Sequence, residues 1–67
     1  MKSFIIFYED VFDNENNNSI LVWGKDKKYK IIGENKDDND KEIIYCLDEE
    51  NKIRGIEKDI KNMYYVI

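Results

Sequence analysis

Carboxylates are the groups of this chain most able to do chemistry, because aspartate and glutamate number 15, histidine is absent and cysteine occurs once. The segment Asp13-x-Glu15-x-Asn17 begins like a calcium-binding loop. Such a loop also needs glycine at its sixth position and glutamate at its twelfth, where this chain has Asn18 and Gly24. Structural zinc needs several cysteine or histidine ligands. The sequence therefore predicts no metal site and no cofactor.

Catalytic groups are equally scarce. Nucleophilic catalysis needs a nucleophile, a base and an orienting group, and the only serines are Ser3 and Ser19. Acid–base catalysis by two carboxylates needs a cleft that pushes their pKa values apart, whereas the pair Glu49-Glu50 falls in a predicted solvated turn. We expect a protein that is not an enzyme. Cys46, between two apolar residues, is predicted to be a small buried hydrophobe.

Length and hydropathy limit the architecture. A chain of 67 residues has a thin core, so a single domain spanning residues 1–67 is expected. The apolar run Phe4–Tyr8 is too short for a signal peptide, and no stretch approaches the ~20 apolar residues that cross a bilayer. We therefore expect a cytoplasmic location in a bacterial host. Abundant lysine, asparagine and isoleucine, with no alanine or proline, indicate an AT-rich genome.

The net charge of −4 disfavours nucleic acid and anionic membranes as partners. One basic cluster, the Lys25–Lys30 turn, lies beside Trp23 and Tyr29. Basic residues interleaved with aromatics can bind single-stranded nucleic acid. Weak nucleic-acid binding through this turn is therefore kept as an alternative, although a solvated hairpin turn is the simpler interpretation.

The alternation of apolar runs with polar turns predicts an all-β domain of five to six short strands. The expected strands are 3–12, 20–23, 29–33, 41–47 and 53–56, separated by loops at 13–19 and 34–40 and by charged turns at 24–28 and 48–52. Towards the C-terminus a short 3₁₀ or α turn is expected to precede a last strand at Tyr64–Ile67. A single α-helix from Glu57 to Val66 is the rival interpretation.

Three segments resemble a known family. They are Gly24-Lys25-x-x-x-Tyr29-x-Ile31, Tyr45-x-Leu47-Asp48-Glu49-x-Asn51-Lys52-Ile53-x-Gly55-Ile56 and Ile56-x-Lys58-Asp59-Ile60. Together they resemble small SH3-like β-barrel proteins of phages and mobile elements in low-GC Gram-positive bacteria. The resemblance implies an SH3-like barrel in which a short helical turn leads into the final strand. Glu57 stands where the family usually has proline.

The peptide-binding signature of signalling SH3 domains is missing. Those domains bind polyproline helices in an aromatic-lined groove, and Phe7-Tyr8-Glu9-Asp10 is only a loose echo of their signature. Binding of proline-rich peptides is therefore not expected.

These features favour a small protein-interaction module, of phage or mobile-element origin, that binds or inhibits a basic-surfaced host protein. In an SH3-like arrangement the acidic loops 9–18 and 34–40 should flank one surface and steer a basic partner to it. The expected protein-binding residues are Glu9, Asp10, Asp13, Glu15, Trp23, Asp37, Asp38 and Asp40. Trp23 is expected in the core, with an exposed interface anchor as the alternative. A structural homo-oligomer, joined through its apolar terminal strands, is a further alternative.

Overall fold

The computed structural model describes residues 3–60 and 62–67, and these residues contain strands and no helix. The strands, numbered in chain order, are β1 (Phe4–Phe7), β2 (Val11–Glu15), β3 (Asn18–Trp23), β4 (Lys28–Lys36), β5 (Glu42–Leu47), β6 (Ile53–Glu57) and β7 (Tyr64–Val66). The predicted all-β class is confirmed. No helix of the described part of the chain is long and apolar enough to cross a membrane.

Five strands form one antiparallel sheet in the order β6-β5-β4-β1-β7, and β2 and β3 form a separate hairpin. The N-terminal strand β1 lies between β4 and the C-terminal strand β7. Within the described residues, β6 and β7 remain the two ends of the larger sheet, so the strand pairing does not close into a barrel.

The core lies between the hairpin and one face of the larger sheet. Phe7 stacks on Trp23 with ring centroids 4.5 Å apart. Trp23 is 5% exposed and its indole N–H donates a hydrogen bond to the Leu47 carbonyl at 3.1 Å. Trp23 is thus a core residue, and its alternative role as an exposed interface anchor is wrong. The predicted burial of Cys46 is confirmed, because its side chain is fully buried.

The N-terminal third departs most from the sequence prediction. The expected strand 3–12 is interrupted at residues 8–10, and the expected loop 13–19 is the β2–β3 hairpin. Asn16 and Asn17 form its two-residue turn with φ of 50° and 68°. Two successive left-handed residues define a type I′ turn, which matches the twist of the flanking strands and favours asparagine. The asparagine run therefore serves as a hairpin turn.

The β4–β5 connection is shorter than expected, because β4 extends to Lys36 and leaves only residues 37–41 as the loop. Asp37 shapes this loop: its carboxylate accepts hydrogen bonds from the Asn39 and Lys41 N–H groups, both at 2.9 Å. Asp40 adopts a left-handed φ of 64°.

The C-terminal segment is mainly extended. β6 continues to Glu57 and β7 begins at Tyr64, so the rival α-helix from Glu57 to Val66 is wrong. Lys58, Asp59 and Asn62 lie in turns and Met63 lies in a bend, and none of the described residues of this segment is helical. The expected short helical turn falls partly on Lys61, which lies outside the described residues. The final strand is confirmed at Tyr64–Val66.

Candidate protein-interaction surface

A shallow groove of about 320 Å³ lies where the chain leaves β1 and enters β2. We call it the Tyr8 groove; its lining residues are Tyr8, Glu9, Asp10, Val11, Phe12, Asn62 and Met63. The Tyr8 N–H donates a hydrogen bond to the Met63 carbonyl at 3.0 Å. This bond joins the β1–β2 connection to the segment that precedes β7. These two segments line the groove.

Three apolar side chains of the Tyr8 groove are exposed to solvent. Phe12 is 57% exposed, Tyr8 47% and Met63 38%. Side chains alternate between the two faces of a strand. The neighbours of Phe12 along β2, Val11 and Asp13, are half-buried, so Phe12 points to the opposite, solvent-exposed side. Clustered apolar side chains rimmed by polar ones mark interaction sites more often than scattered ones do.

The Tyr8 groove is also acidic. Glu9 and Asp10 lie on its lining beside the apolar side chains. Asp10 is partly committed to the fold, since its carboxylate accepts a hydrogen bond from the Lys25 backbone N–H at 2.7 Å. Glu9 is exposed. A cationic group that entered the groove would therefore find an apolar wall and a carboxylate within the same depression.

A second depression, of about 420 Å³, is lined by charged residues of the β4–β5 loop, of β5 and of the β6–β7 connection. These residues are Asp40, Lys41, Glu42, Lys58 and Asp59. The Lys58 ammonium lies 3.1 Å from the Glu34 carboxylate and 3.6 Å from that of Glu42. These two carboxylates, Glu34 first, raise the pKa of Lys58.

The β6–β7 connection, residues 58–63, contributes to both depressions. Lys58 and Asp59 line the polar one, and Asn62 and Met63 line the Tyr8 groove. The Lys58 N–H donates to the Glu42 carbonyl at 2.9 Å, which holds the connection against β5. Parts of both acidic segments predicted to bind a partner therefore border this one connection.

Asp13 and Glu15 do not line either depression. Both face Arg54 of β6: the Asp13 carboxylate lies 3.2 Å from the guanidinium and that of Glu15 lies 4.0 Å away. Because Arg54 is 41 residues from Asp13 in the sequence, this pairing holds the β2–β3 hairpin onto the larger sheet. These carboxylates contribute to the fold.

Arg54 is itself fixed by Asp48, a carboxylate that the sequence did not single out. Asp48 is 5% exposed and accepts hydrogen bonds from the N–H groups of Glu50 and Lys52 and from Arg54 Nε, at 2.8, 2.9 and 3.0 Å. Burial alone raises the pKa of Asp48, but these hydrogen bonds outweigh it and the pKa is lowered. The sequence could have indicated this role, because Asp48 comes just before a Glu-Glu-Asn turn. Aspartate at such a position commonly accepts a hydrogen bond from the backbone N–H two residues further on.

The remaining expected site residues have different surroundings. Trp23 is buried, Asp37 holds its own loop, and Asp38 is exposed. Asp40 lies 3.7 Å from the Lys36 ammonium and lines the polar depression. Sequence reasoning identified the acids of the Tyr8 groove but missed its apolar half, because nothing local distinguishes an exposed Phe12 from a core phenylalanine.

Comparison with known proteins gives no relative. The chain matches no protein-family model, no curated protein and no solved structure.

Proposed function

We propose that this chain is a small non-enzymatic protein-interaction module, which binds a partner through the Tyr8 groove. The observation that carries the proposal is the placement of exposed Tyr8, Phe12 and Met63 beside Glu9 in one depression. The apolar side chains supply area that can be desolvated, and the carboxylate favours a cationic neighbour. The partner is thus a protein whose surface presents lysine or arginine next to apolar side chains.

An SH3-like arrangement of the chain is part of this proposal. Residues of the β6–β7 connection line one depression together with Glu9 and Asp10 and another together with Asp40, which supports a shared surface for the two acidic segments. The antiparallel five-strand sheet covered by a hairpin is compatible with it. On the sequence resemblance, the module is a phage or mobile-element accessory protein that binds or inhibits a basic host protein.

Selection from a randomised peptide library on the immobilised chain tests the proposal. We expect the enriched peptides to combine lysine or arginine with aromatic or aliphatic residues, and to bind more weakly as salt is raised. Phe12→Ala should weaken their binding about tenfold or more, as truncation of an anchor side chain does.

Matched variants distinguish the contribution of the Tyr8 groove to binding from general effects of surface hydrophobicity and charge. Ile53 is 65% exposed on β6 and does not line the groove, so Ile53→Ala should leave binding unchanged. Glu9→Lys should weaken binding, whereas Glu50→Lys makes the same charge change in the β5–β6 turn and should have a much smaller effect. Enriched peptides without net positive charge, or equal losses for Phe12→Ala and Ile53→Ala, would refute the proposal.

A further inference from the structure

The face of the larger sheet that points away from the core carries exposed aromatic rings. Ile5 and Phe7 of β1 are fully buried in the core, so Phe4 and Ile6 point to the opposite, outer face. Tyr65 of β7 lies in register with Ile6 and is 39% exposed. Phe4 is 37% exposed. Aromatic side chains of two neighbouring strands therefore share this outer sheet face.

Tyr8 extends the aromatic surface beyond the end of β1. Its ring centroid lies 5.2 Å from that of Tyr65, with the planes inclined by 37°. Ile6, the register partner of Tyr65, is only 6% exposed although it lies outside the main core cluster. The outer sheet face is thus a packed apolar platform whose aromatic members remain open to solvent.

Two lysines of β4 border this platform. Lys30 is in register with Phe4, and Lys28 is in register with Ile6. The Lys28 ammonium lies over the Phe4 ring, 5.7 Å from its centroid. Both lysines flank the buried Tyr29, and residues two apart on a strand point to the same side about 7 Å from each other. A column of two cations therefore runs beside the aromatic column.

The charges of Lys28 and Lys30 are not neutralised by a salt bridge within the described part of the chain. Lys27, Lys36, Lys41, Lys52, Arg54 and Lys58 each form a salt bridge with a carboxylate. Among the described residues, Lys28 and Lys30 have no such carboxylate within 4.0 Å. Although the net charge of the chain is negative, Lys28 and Lys30 therefore form a local positive site next to the exposed rings of Phe4 and Tyr65.

We propose that the outer sheet face binds single-stranded nucleic acid, with a base stacked on Tyr65 beside Phe4 and phosphates beside Lys28 and Lys30. Aromatic platforms next to a basic track are the means by which proteins bind single strands without sequence preference. A duplex fits this face poorly, because its bases are already stacked on each other. The site is separate from the Phe12 side of the Tyr8 groove, and Tyr8 borders both.

Fluorescence anisotropy with a labelled oligothymidine of about twelve nucleotides tests this proposal. Two neutralised phosphates predict a slope of log affinity against log salt of about −1.4, which is about a sevenfold loss between 50 and 200 mM salt. Lys28→Glu combined with Lys30→Glu should lower the affinity about tenfold or more. Tyr65→Leu keeps an apolar side chain but removes the ring, and should lower it about 5- to 150-fold.

Three control variants separate the proposed contacts from general changes in charge and apolar surface. Tyr65→Phe keeps the ring and should bind like the unmodified chain. Lys52→Glu changes a lysine of the β5–β6 turn, and Ile53→Ala removes an exposed apolar side chain of β6; both should have less than a twofold effect. Circular dichroism of each variant tests whether it remains folded.

Three results would overturn the proposal. The first is no binding of oligothymidine at low salt. The second is an equal loss of affinity for Lys52→Glu and for either single reversal at Lys28 or Lys30, because that shows a dependence on net charge alone. The third is equal competition by polyglutamate together with unchanged binding by Tyr65→Leu, because that shows a site for acidic peptides.

Discussion

The buried carboxylate of Asp48 provides the sharpest test of how this small fold is held together. One of its oxygens, Oδ1, accepts the N–H groups of Glu50 and Lys52, and the other, Oδ2, accepts Arg54 Nε–H at 3.0 Å. Asp48→Asn keeps the shape and leaves one oxygen for the two backbone bonds. It turns the amide NH₂ towards the Arg54 guanidinium, which can only donate.

The magnitude follows from the bond that is lost. A hydrogen bond to a charged group contributes about 1.5–3 kcal/mol, so we expect Asp48→Asn to lower the free energy of unfolding by about 2 kcal/mol. One kcal/mol shifts the Tm of a domain this size by about 4–8 °C, so the Tm should fall by about 8–16 °C. A chain of 67 residues has only about 3–10 kcal/mol of stability, so this loss is a large fraction.

Urea unfolding followed by Trp23 fluorescence measures the effect, because that side chain is 5% exposed in the folded chain. The matched control is Asp38→Asn, the same change at an exposed loop position, which should cost less than about 0.5 kcal/mol. Equal stabilities for Asp48→Asn and Asp38→Asn would show that the Asp48 hydrogen bonds contribute nothing net, and would refute the reasoning.

The same carboxylate sets a pH dependence. Since the pKa of Asp48 is lowered in the folded chain, its contribution is fully present above about pH 4 and is lost as the pH falls through the lowered folded pKa. The unmodified chain should therefore lose more stability on acidification than Asp48→Asn does, and parallel acid-unfolding curves would contradict this.

Three further predictions concern the hairpin turn, the thiol and the glycines. Asn17→Gly should preserve or raise stability, because glycine favours the second position of a type I′ turn, whereas Asn17→Val should cost about 1–2 kcal/mol in urea unfolding. Burial raises the pKa of the Cys46 thiol to about 11, so Ellman's reagent should react only after urea is added; rapid reaction of the folded chain contradicts this. Gly55→Ala should be about 1 kcal/mol less stable than Gly33→Ala, since its methyl would lie 3.0 Å from Ile43 whereas that of Gly33 meets nothing within 4 Å.

The fold class was predictable because its signals are local. Apolar runs of strand length separated by Asn, Asp and Lys turns favour β structure wherever they occur. The same local signals misjudged residues 13–19, because an asparagine-rich stretch fits both a loop and a hairpin turn. Only pairing with a second strand distinguishes them, and Asp13 lies opposite Ile20 in the observed register.

The site was harder to predict, because its halves lie far apart in sequence. Tyr8 and Met63 meet through a backbone hydrogen bond between opposite ends of the chain. In the sequence, nothing distinguishes the carboxylates of Asp13 and Glu15 from those of Glu9 and Asp10. The structure shows that Asp13 and Glu15 lie beside Arg54. Charge along a sequence shows what a surface can attract, whereas the tertiary partners show which charges are already neutralised.

The sequence by itself determined an all-β chain, its polar turns and the burial expected of Cys46, because these depend on side-chain type and on periods of a few residues. The tertiary structure decided which face of each strand is buried. In β5, for example, Ile43 and Ile44 are equally apolar, yet Ile44 is 3% exposed and packs in the core while Ile43 points to the other side. It also decided that Glu9 and Asp10 line the Tyr8 groove whereas Lys28 and Lys30 lie beside Ile6 and Phe4 on the larger sheet. Strand order, which local sequence does not encode, assembles each of these surfaces.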